Sequence, residues 1–193
     1  RSTRFSMPTI RTFIALPLPS KLMTIMASIQ KQLVMTGSDV KWDAPEKFHI
    51  TLKFIGDIDS SLISEITDQL KKSIGNFPSF DLAYVKLGGF PNVDRPRVVW
   101  IGTSESPQIL LLQSQVEHVC SSLGFKPDDR PFHAHITLGR VKGNRNLERL
   151  TASLKSITFE PLLARCTEVH FVRSELKPTG SVYTLLNSIP LAS

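Results

Sequence analysis

Two histidines of this chain stand in the same short sequence context. The tetrapeptide His-Ile-Thr-Leu begins at His49 and again at His135. Both copies lie in apolar, β-favouring stretches, and side chains two residues apart on a strand point to the same face. Each copy therefore places an imidazole beside a hydroxyl, from Thr51 in the first copy and from Thr137 in the second. Two such pairs facing each other would surround a small anion with two acid–base groups and two hydroxyl donors, the set that phosphodiester cleavage without a metal needs.

The predicted elements around the two tetrapeptides support a duplication. A short repeat can arise by chance, so its context must add support. Hydrophobic periodicity predicts the order strand, helix, motif strand, helix, strand around each copy. In the first half of the chain these elements are predicted at residues 10–16, 20–34, 48–55, 60–74 and 80–87. In the second half they are predicted at residues 97–101, 107–123, 132–141, 147–154 and 166–172, with a further strand around Tyr183.

We therefore expect an α+β fold built from a duplicated α/β unit. Its two lobes would each contribute a mainly antiparallel sheet to a central cleft, with the helices on the outside. Residues 7–193 would form a single domain, with lobes at about 7–92 and 93–193 that can exchange strands. Residues 1–6, which precede Met7, are expected to be a remnant added ahead of the natural start or a disordered arm.

The bulk composition favours a compact protein outside the membrane. The chain has 193 residues, of which 41% are hydrophobic, so it can build a sizeable core. No stretch approaches the ~20 consecutive apolar residues of a membrane span. The polar N-terminus lacks the apolar segment of a secretory signal, and two cysteines are too few for a disulfide framework. We expect a monomer in the cytoplasm with no membrane association.

The spacing His133-Ala134-His135 also fits a two-imidazole metal site. Both rings would lie on one strand face, as in some zinc sites. A third ligand is not apparent, since Asp128 and Asp129 lie in the preceding loop and no cysteine is near. We therefore expect no metal and no other cofactor, and we place His133 at the mouth of the cleft.

Cationic side chains flank both motifs, and the net charge of +6 favours a polyanionic ligand. Arg130 and Arg140 bracket the second motif, and Lys47 and Lys53 bracket the first. On a regular strand Arg140 would point away from the motif histidine, so it could reach a phosphate only if the strand twists or ends there. We take both arginines as candidate substrate-binding residues, and we expect the two lysines to be solvated strand ends.

Aromatic residues are candidates for stacking on nucleobases. Phe48, Phe132, Trp42 and Trp100 are expected in the core instead, because each lies in or beside an apolar strand. Tyr183, near the end of the chain, is a candidate to contact a base. The histidines far from the motifs are expected to be surface or structural residues: His118 and His170.

Longer stretches of the sequence resemble a known family. They comprise Arg-Thr-Phe-Ile-Ala-Leu at 11–16, His-Ile-Thr-Leu-Lys-Phe-Ile-Gly at 49–56, Gly-Phe-Pro at 89–91, Arg-Pro-Arg-Val-Val-Trp at 95–100, and Arg-Pro-Phe at 130–132 leading into His-Ile-Thr-Leu-Gly-Arg at 135–140. These stretches, and their order along the chain, resemble those of the 2H phosphoesterase superfamily. Within it the closest resemblance is to the RNA 2′,3′-cyclic phosphodiesterase branch, also called the RNA 2′,5′-ligase family.

The resemblance implies roles for the four motif residues. His49 would donate a proton to the leaving ribose oxygen, and His135 would accept the proton of the attacking water. Thr51 and Thr137 would hydrogen-bond the non-bridging phosphate oxygens. The implied reaction converts RNA 2′,3′-cyclic phosphate ends, those of tRNA fragments included, to 2′-phosphates. Its reverse joins RNA ends through a 2′,5′ linkage.

Two other functions stay open from the sequence. A non-catalytic RNA-end binding module would keep the pocket without turnover, although such a module has no need for both imidazoles. The same chemistry could also act on small cyclic nucleotides or 2′,5′-oligonucleotides, because the motifs contact only the phosphate.

Overall fold

The fold is described by a computed structural model for residues 7–193, and the segment 1–6 lies outside the described residues. This part of the chain contains nine strands: β1 (Thr9–Pro17), β2 (Val40–Trp42), β3 (His49–Asp59), β4 (Phe80–Phe90), β5 (Val98–Thr103), β6 (His135–Val141), β7 (Leu162–Cys166), β8 (Glu168–Lys177) and β9 (Gly180–Pro190). It also contains four α-helices: α1 (Ser20–Val34), α2 (Ile63–Ile74), α3 (Pro107–Ser122) and α4 (Leu147–Ser156). Short 3₁₀ turns precede β3 and α2, at Pro45–Lys47 and Ser60–Leu62.

Most elements are found within a few residues of their predicted bounds. α1 spans its predicted range, and α3 begins at Pro107 as predicted. Ser106 caps α3, because its hydroxyl accepts a hydrogen bond from the Ile109 amide at 3.3 Å. The strand predicted at 166–172 corresponds to β8, which begins at Glu168, whereas Cys166 ends a separate strand, β7, that was not predicted. The short strand β2 was not predicted.

The nine strands form one sheet in the order β7-β4-β5-β6-β3-β1-β8-β9, and β2 pairs with β6 beside this path. The sheet is narrow in the middle, where β3 and β6 share one pair of residues, Ile50 and Ile136. We call β3, β1, β8 and β9 the first half-sheet, and β7, β4, β5, β6 and β2 the second half-sheet. The predicted α+β class and antiparallel pairing are confirmed, and the two predicted sheets correspond to these half-sheets, joined at their motif strands.

Strands from each half of the chain pair with strands from the other half. β4 comes early in the chain but pairs with β5 and β7 in the second half-sheet. β8 and β9 come last but extend the first half-sheet beyond β1. The helices also pair between the halves of the chain. α2 and α3 pack against each other, α2 contacts β9 and α3 contacts β3, while α4 packs on β4 and contacts α1. Each half-sheet, with its helices, is therefore built from both halves of the sequence.

The helices bury the aliphatic face of both motif strands. On that face four residues are each no more than 2% exposed: Ile50, Leu52, Ile136 and Leu138. They belong to the main hydrophobic core, which also includes residues of all four helices. The opposite face carries the motif histidines and threonines, which are only half-buried. Burial of the aliphatic face thus fixes the direction in which the polar face points.

Candidate active site

The two motifs meet where the half-sheets join. Ile50 and Ile136, the second residue of each motif, are paired across β3 and β6, and the two strands run antiparallel. The histidine of each motif therefore lies on the side of the other motif's threonine. Both histidines and both threonines line one cleft of about 660 Å³. The duplication thus places two imidazoles and two hydroxyls around a common space.

Each motif histidine is oriented by a backbone carbonyl two residues earlier. The Nδ1 atom of His49 lies 2.6 Å from the Lys47 carbonyl oxygen, and that of His135 lies 2.7 Å from the His133 carbonyl oxygen. A carbonyl only accepts hydrogen bonds, so Nδ1 carries a proton and donates in both rings. Nε2 is then the ring nitrogen that is available to exchange a proton in the cleft. In the first motif, the Nε2 of His49 is also 2.9 Å from the Thr51 hydroxyl.

Burial lowers the pKa of both motif histidines. For His49 the loss of hydration is the largest effect, the hydrogen bond to the Lys47 carbonyl opposes it, and repulsion by His135 adds to it. For His135 the loss of hydration again dominates the pKa, the hydrogen bond to the His133 carbonyl opposes it, and the charges of His133 and Arg140 add to it. Each ring therefore loses its proton below the pH of about 6.5 at which a free imidazole titrates. The repulsion by His135 means that the pKa of His49 depends on whether His135 carries a proton.

A β-bulge in β6 brings a cation to the histidine face. Thr137 and Gly139 pair with consecutive residues of β5, so Leu138 is an extra residue in β6. Leu138 and Gly139 are both buried, and the alternation of faces is reversed beyond them. Arg140 consequently returns to the face of His135 and lines the cleft. The condition set from the sequence, that Arg140 reaches the histidine face only if the strand departs from regular geometry, is met by this bulge.

The first motif carries the same bulge. Thr51 and Lys53 pair with consecutive residues of β1, which makes Leu52 the extra residue. Leu52 and Lys53 are both buried, and Phe54 returns to the cleft at the position equivalent to the arginine of the second bulge. The cation on this side is Arg11 of β1, whose guanidinium carbon lies 4.8 Å from the centre of the Phe54 ring.

Two aromatic rings border the first histidine. The Phe13 ring is stacked on His49 with the ring centres 4.9 Å apart, and Tyr183 approaches the same imidazole edge-on at 5.6 Å. Tyr183, a candidate from the sequence, thus lies in the cleft. Phe13 was missed because it falls inside an apolar strand. Its position two residues from Arg11 was the available signal, since alternate residues of a strand share one face and both line the cleft.

Two further rings border the second histidine. The Phe90 ring meets His135 edge-on with the ring centres 4.9 Å apart, and the Trp100 ring lies at 6.3 Å. The expectation that Trp100 lies in the core was wrong, because the residue is half-buried on the histidine face of β5. Trp42 is likewise half-buried and lines the cleft, whereas Phe48 is in the core as predicted.

The cleft carries more positive than negative groups. Five cationic side chains line it, together with one carboxylate, Asp43: the cations are Arg11, Lys41, Lys47, Arg140 and Lys142. Burial raises the pKa of Asp43, and the neighbouring cations oppose this rise. Lys47 was expected to be a solvated strand end but is half-buried, with its Nζ atom 5.4 Å from the centre of the Tyr183 ring. An anion entering the cleft therefore meets a positive potential.

Comparison with known proteins places this arrangement in a family. Residues 24–178 match the family model described as the 2′-5′ RNA ligase superfamily. The chain belongs to the 2′-5′ RNA ligase superfamily. The RNA 2′,3′-cyclic phosphodiesterase of Aeropyrum pernix is 34% identical over 170 residues, which is 87% of this chain and 96% of that protein. The RNA 2′,3′-cyclic phosphodiesterase of Methanothermobacter thermautotrophicus is 33% identical over 176 residues, which is 91% of this chain and 95% of that protein.

The fold of this superfamily member is also found in solved structures. The crystal structure of TT0787 of Thermus thermophilus superposes with a TM-score of 0.79 at 26% identity, covering 94% of this chain and 98% of that one. These matches confirm the resemblance to this family that the two motifs and the sequence stretches around them indicated.

In this member of the superfamily Lys53 is a structural residue of the site. It was expected in solvent, but its side chain is 2% exposed. Its Nζ atom lies 2.9 Å from Glu117 Oε1 of α3, 2.8 Å from the Lys126 carbonyl oxygen and 3.4 Å from Asp128 Oδ1. Burial opposes the charge, but the hydrogen bond to Glu117 and the nearby carboxylates outweigh it and raise the pKa of Lys53. The bulge that buries this lysine thus anchors the loop that follows α3 to the first motif strand.

The same loop holds the remaining candidates. Arg130 is exposed and lines a groove that adjoins the cleft and shares Thr51 and His135 with it, but it does not line the cleft itself. His133 is exposed, and its contribution to the site is the backbone carbonyl that orients His135. Within residues 7–193, no group of three or more His, Cys, Asp or Glu side chains lies close enough together to hold a metal ion.

The other histidines lie away from the cleft. His118 is exposed on α3 as predicted, and the Nε2 atom of His170 on β8 lies 3.4 Å from Glu168. Among the described helices, none is long and apolar enough to cross a membrane.

Proposed function

We propose that this protein hydrolyses RNA 2′,3′-cyclic phosphate ends to 2′-phosphates without a metal or other cofactor. The observation that carries the proposal is the single cleft lined by two imidazoles and two threonine hydroxyls among five cations. It supplies an acid, a base and donors for the phosphate oxygens within one chain. The names of the relatives from Aeropyrum and Methanothermobacter point to the same substrate.

In the proposed reaction, the two histidines move one proton each. His135 acts in its neutral form, which its lowered pKa favours, and takes a proton from water as the water oxygen attacks phosphorus. The bond between phosphorus and the ribose 3′-oxygen breaks, and His49 gives its proton to that oxygen. Thr51 and Thr137 donate hydrogen bonds to the non-bridging oxygens, where charge increases in the transition state.

Substrate binding is assigned to residues that surround this centre. Arg140 lines the cleft beside the motif and would hold a phosphate oxygen, and Tyr183 would face the terminal base. Arg130, in the adjoining groove, would contact the RNA backbone. We propose tRNA fragments among the substrates and a monomer as the active form, because one chain supplies both histidines. The two cysteines of the described chain are unbonded and buried, which suits a site of action in the cytoplasm.

The same groups can also act when an RNA hydroxyl attacks the cyclic phosphate in place of water. A hydroxyl that takes the place of water would lose its proton to His135, and a 2′,5′ phosphodiester would replace the cyclic phosphate. We include this RNA ligation in the proposed function, since the acid and base roles apply equally to water and to an RNA hydroxyl.

The decisive experiment uses RNA that ends in a 2′,3′-cyclic phosphate, incubated with the protein in the presence of EDTA. We expect a 2′-phosphate product, and we expect His49→Ala and His135→Ala to lower the rate by a factor of ~10²–10⁴. His118→Ala, on the exposed side of α3, is the control and should act like the parent. Full activity in His135→Ala, loss of activity with EDTA, or retention of the RNA end without turnover would each reject the proposal.

A further inference from the structure

A second cavity also reaches His135. It has a volume of about 570 Å³, and its walls include Phe90, Trp100, Leu110 and Phe132. We call it the second pocket. His135 lines both the second pocket and the 660 Å³ cleft, so the two spaces meet at this imidazole. A molecule in the second pocket would therefore lie next to the proposed base.

Strand register places the second pocket on the histidine face of the second half-sheet. Lys86 of β4 pairs with Gly102 of β5, which in turn pairs with His135 of β6. Neighbouring strands are ~4.8 Å apart, so the backbone of Lys86 lies ~10 Å from that of His135. Lys86 is exposed, lines the pocket and takes part in none of the ion pairs found within residues 7–193. It is available to a phosphate about one nucleotide away from the imidazole.

Trp100 forms a fixed wall of the second pocket. A Cβ atom at Gly88 would lie 2.3 Å from the indole, and one at Gly102 would lie 2.6 Å from it. The ring therefore lies against strand backbone at two positions where no side chain fits. Its Nε1 atom is buried and has no hydrogen-bond partner in the described part of the chain. The ring is thus held by packing against the strands and not by a hydrogen bond of its N–H group.

The cleft and the second pocket are alike in the aromatic residues that border their motif histidines. Each motif histidine has a pair of aromatic rings beside it, one pair from each half-sheet. Aromatic walls beside a cation are what hold single-stranded nucleotides. A phosphodiester likewise has a nucleoside on either side of its phosphate, so a site with two such walls around one phosphate position matches a dinucleotide.

We propose that the second pocket binds the nucleoside that carries the attacking hydroxyl when an RNA 5′ end reacts in place of water. The inference rests on the proposed function and specifies a binding site for its ligation branch. The attacking group approaches phosphorus opposite the leaving oxygen, and so enters on the side of His135. The second pocket opens on that side, whereas Phe13 and Tyr183 border the histidine assigned to the leaving oxygen.

The reaction balances within the two RNA ends. The 5′-oxygen forms a bond to phosphorus while its proton passes to His135. The bond between phosphorus and the 3′-oxygen breaks, and the 3′-oxygen takes the proton of His49. One phosphate ester bond replaces another, so no further substrate is consumed. The reverse reaction cleaves the 2′,5′ junction into a cyclic phosphate and a 5′-hydroxyl.

Two adjacent leucines of α3 offer a matched test. Leu110 lines the second pocket and is 52% exposed, whereas Leu111 is 59% exposed and does not line it. Leu110→Glu places a carboxylate where the base and phosphate would lie, and Leu111→Glu adds the same charge to the same helix. Both side chains are on the surface, so neither change removes core packing. For each protein two rates are measured: hydrolysis of an RNA 2′,3′-cyclic phosphate, and cleavage of the same RNA joined by a 2′,5′ linkage to a second oligonucleotide.

We expect the ratio of junction cleavage to hydrolysis to fall about tenfold in Leu110→Glu, as for the loss of one base contact. The ratio should be the same in the parent and in Leu111→Glu. Equal ratios in all three proteins would overturn the second pocket as the nucleoside site. A parent that hydrolyses the cyclic phosphate but leaves the junction intact would also overturn it, and in both cases the proposed hydrolysis stands. A parent that does neither would overturn the proposed function and this inference together.

Discussion

The hydroxyl of Thr51 distinguishes two imidazoles that are otherwise held alike. Both rings donate from Nδ1 to a backbone carbonyl two residues earlier. The Nε2 of His49 is 2.9 Å from the Thr51 hydroxyl, whereas the Nε2 of His135 has no partner among the hydrogen bonds of the described residues. An Nε2 that faces open space is accessible to a water molecule, which agrees with the proposal of His135 as the base. The same tetrapeptide thus gives two histidines that differ in the hydrogen bonding of their Nε2 atoms.

The pH dependence of activity follows from the lowered pKa values of these histidines. In the proposed reaction the pair carries one proton, on His49 and not on His135. Because burial lowers both pKa values, this singly protonated pair is most abundant at a pH below about 6.5. A plot of kcat/KM against pH should be bell-shaped, since a second proton inactivates the base at low pH and loss of the last proton removes the acid at higher pH. We expect its optimum below pH ~6.5.

The same assay tests the origin of the lowered pKa values. The bound phosphate is an anion and stabilises the protonated rings, so the optimum of kcat should lie at a higher pH than that of kcat/KM. An optimum of kcat/KM at about pH 8 would contradict a singly protonated pair with lowered pKa values. Coincident optima for the two parameters would contradict the effect of the bound phosphate on the rings.

The two β-bulges decide which side chains reach the cleft. Regular alternation predicts the faces of the His-x-Thr pairs correctly, because both pairs precede the bulge in their strand. It fails for the residues that follow, so that Lys53 is buried and Arg140 lines the cleft. A bulge is set by pairing with a neighbouring strand and leaves no mark in the local hydrophobic pattern. Trp100 was misplaced for a related reason, since the apolar composition of β5 does not reveal that one of its faces has no helix over it.

Removal of the buried amine should weaken both the fold and the site. Lys53→Met leaves the Glu117 carboxylate half-buried without its cation, and the Oε2 atom of Glu117 already lacks a partner among the described residues. We expect the free energy of unfolding to fall by about 3 kcal/mol, the usual cost when one partner of a buried ion pair is removed. We also expect kcat to fall, because the loop that carries the His133 carbonyl loses its anchor. Denaturant unfolding and cyclic phosphate hydrolysis measure the two effects.

Two further variants show whether the loss belongs to the ion pair. Lys53→Met combined with Glu117→Gln removes both charges and should recover part of the lost stability. Lys72→Met changes an exposed lysine of α2 and should leave both measurements near those of the parent. If Lys53→Met were as stable and as active as the parent, the anchoring role of the lysine would be wrong.

The exchange of strands joins the two halves of the chain into one unit. The sequence predicts the order of the elements and the duplication, because both follow from local periodicity and from the repeated motif. It does not predict that β4 joins the second half-sheet or that β8 and β9 extend the first, since such long-range pairing has no local pattern. The consequence for the site is direct. β1, β3 and β9 supply Arg11, Thr51 and Tyr183 to the same cleft wall although they come from opposite ends of the chain.

The concentration of positive charge at the cleft should make RNA binding depend on salt. Each cation that contacts a phosphate of a single strand contributes a slope of about −0.7 to the logarithm of affinity against the logarithm of salt concentration. Arg140→Ala should therefore raise KM for an RNA end and reduce this slope by about one contact. Arg149→Ala is the matched control, since it removes the same charge from the exposed side of α4, away from the cleft. An equal change of slope in both variants would mean that net charge alone attracts the RNA. A KM that does not depend on salt in the parent would remove the basis for a phosphate contact by Arg140.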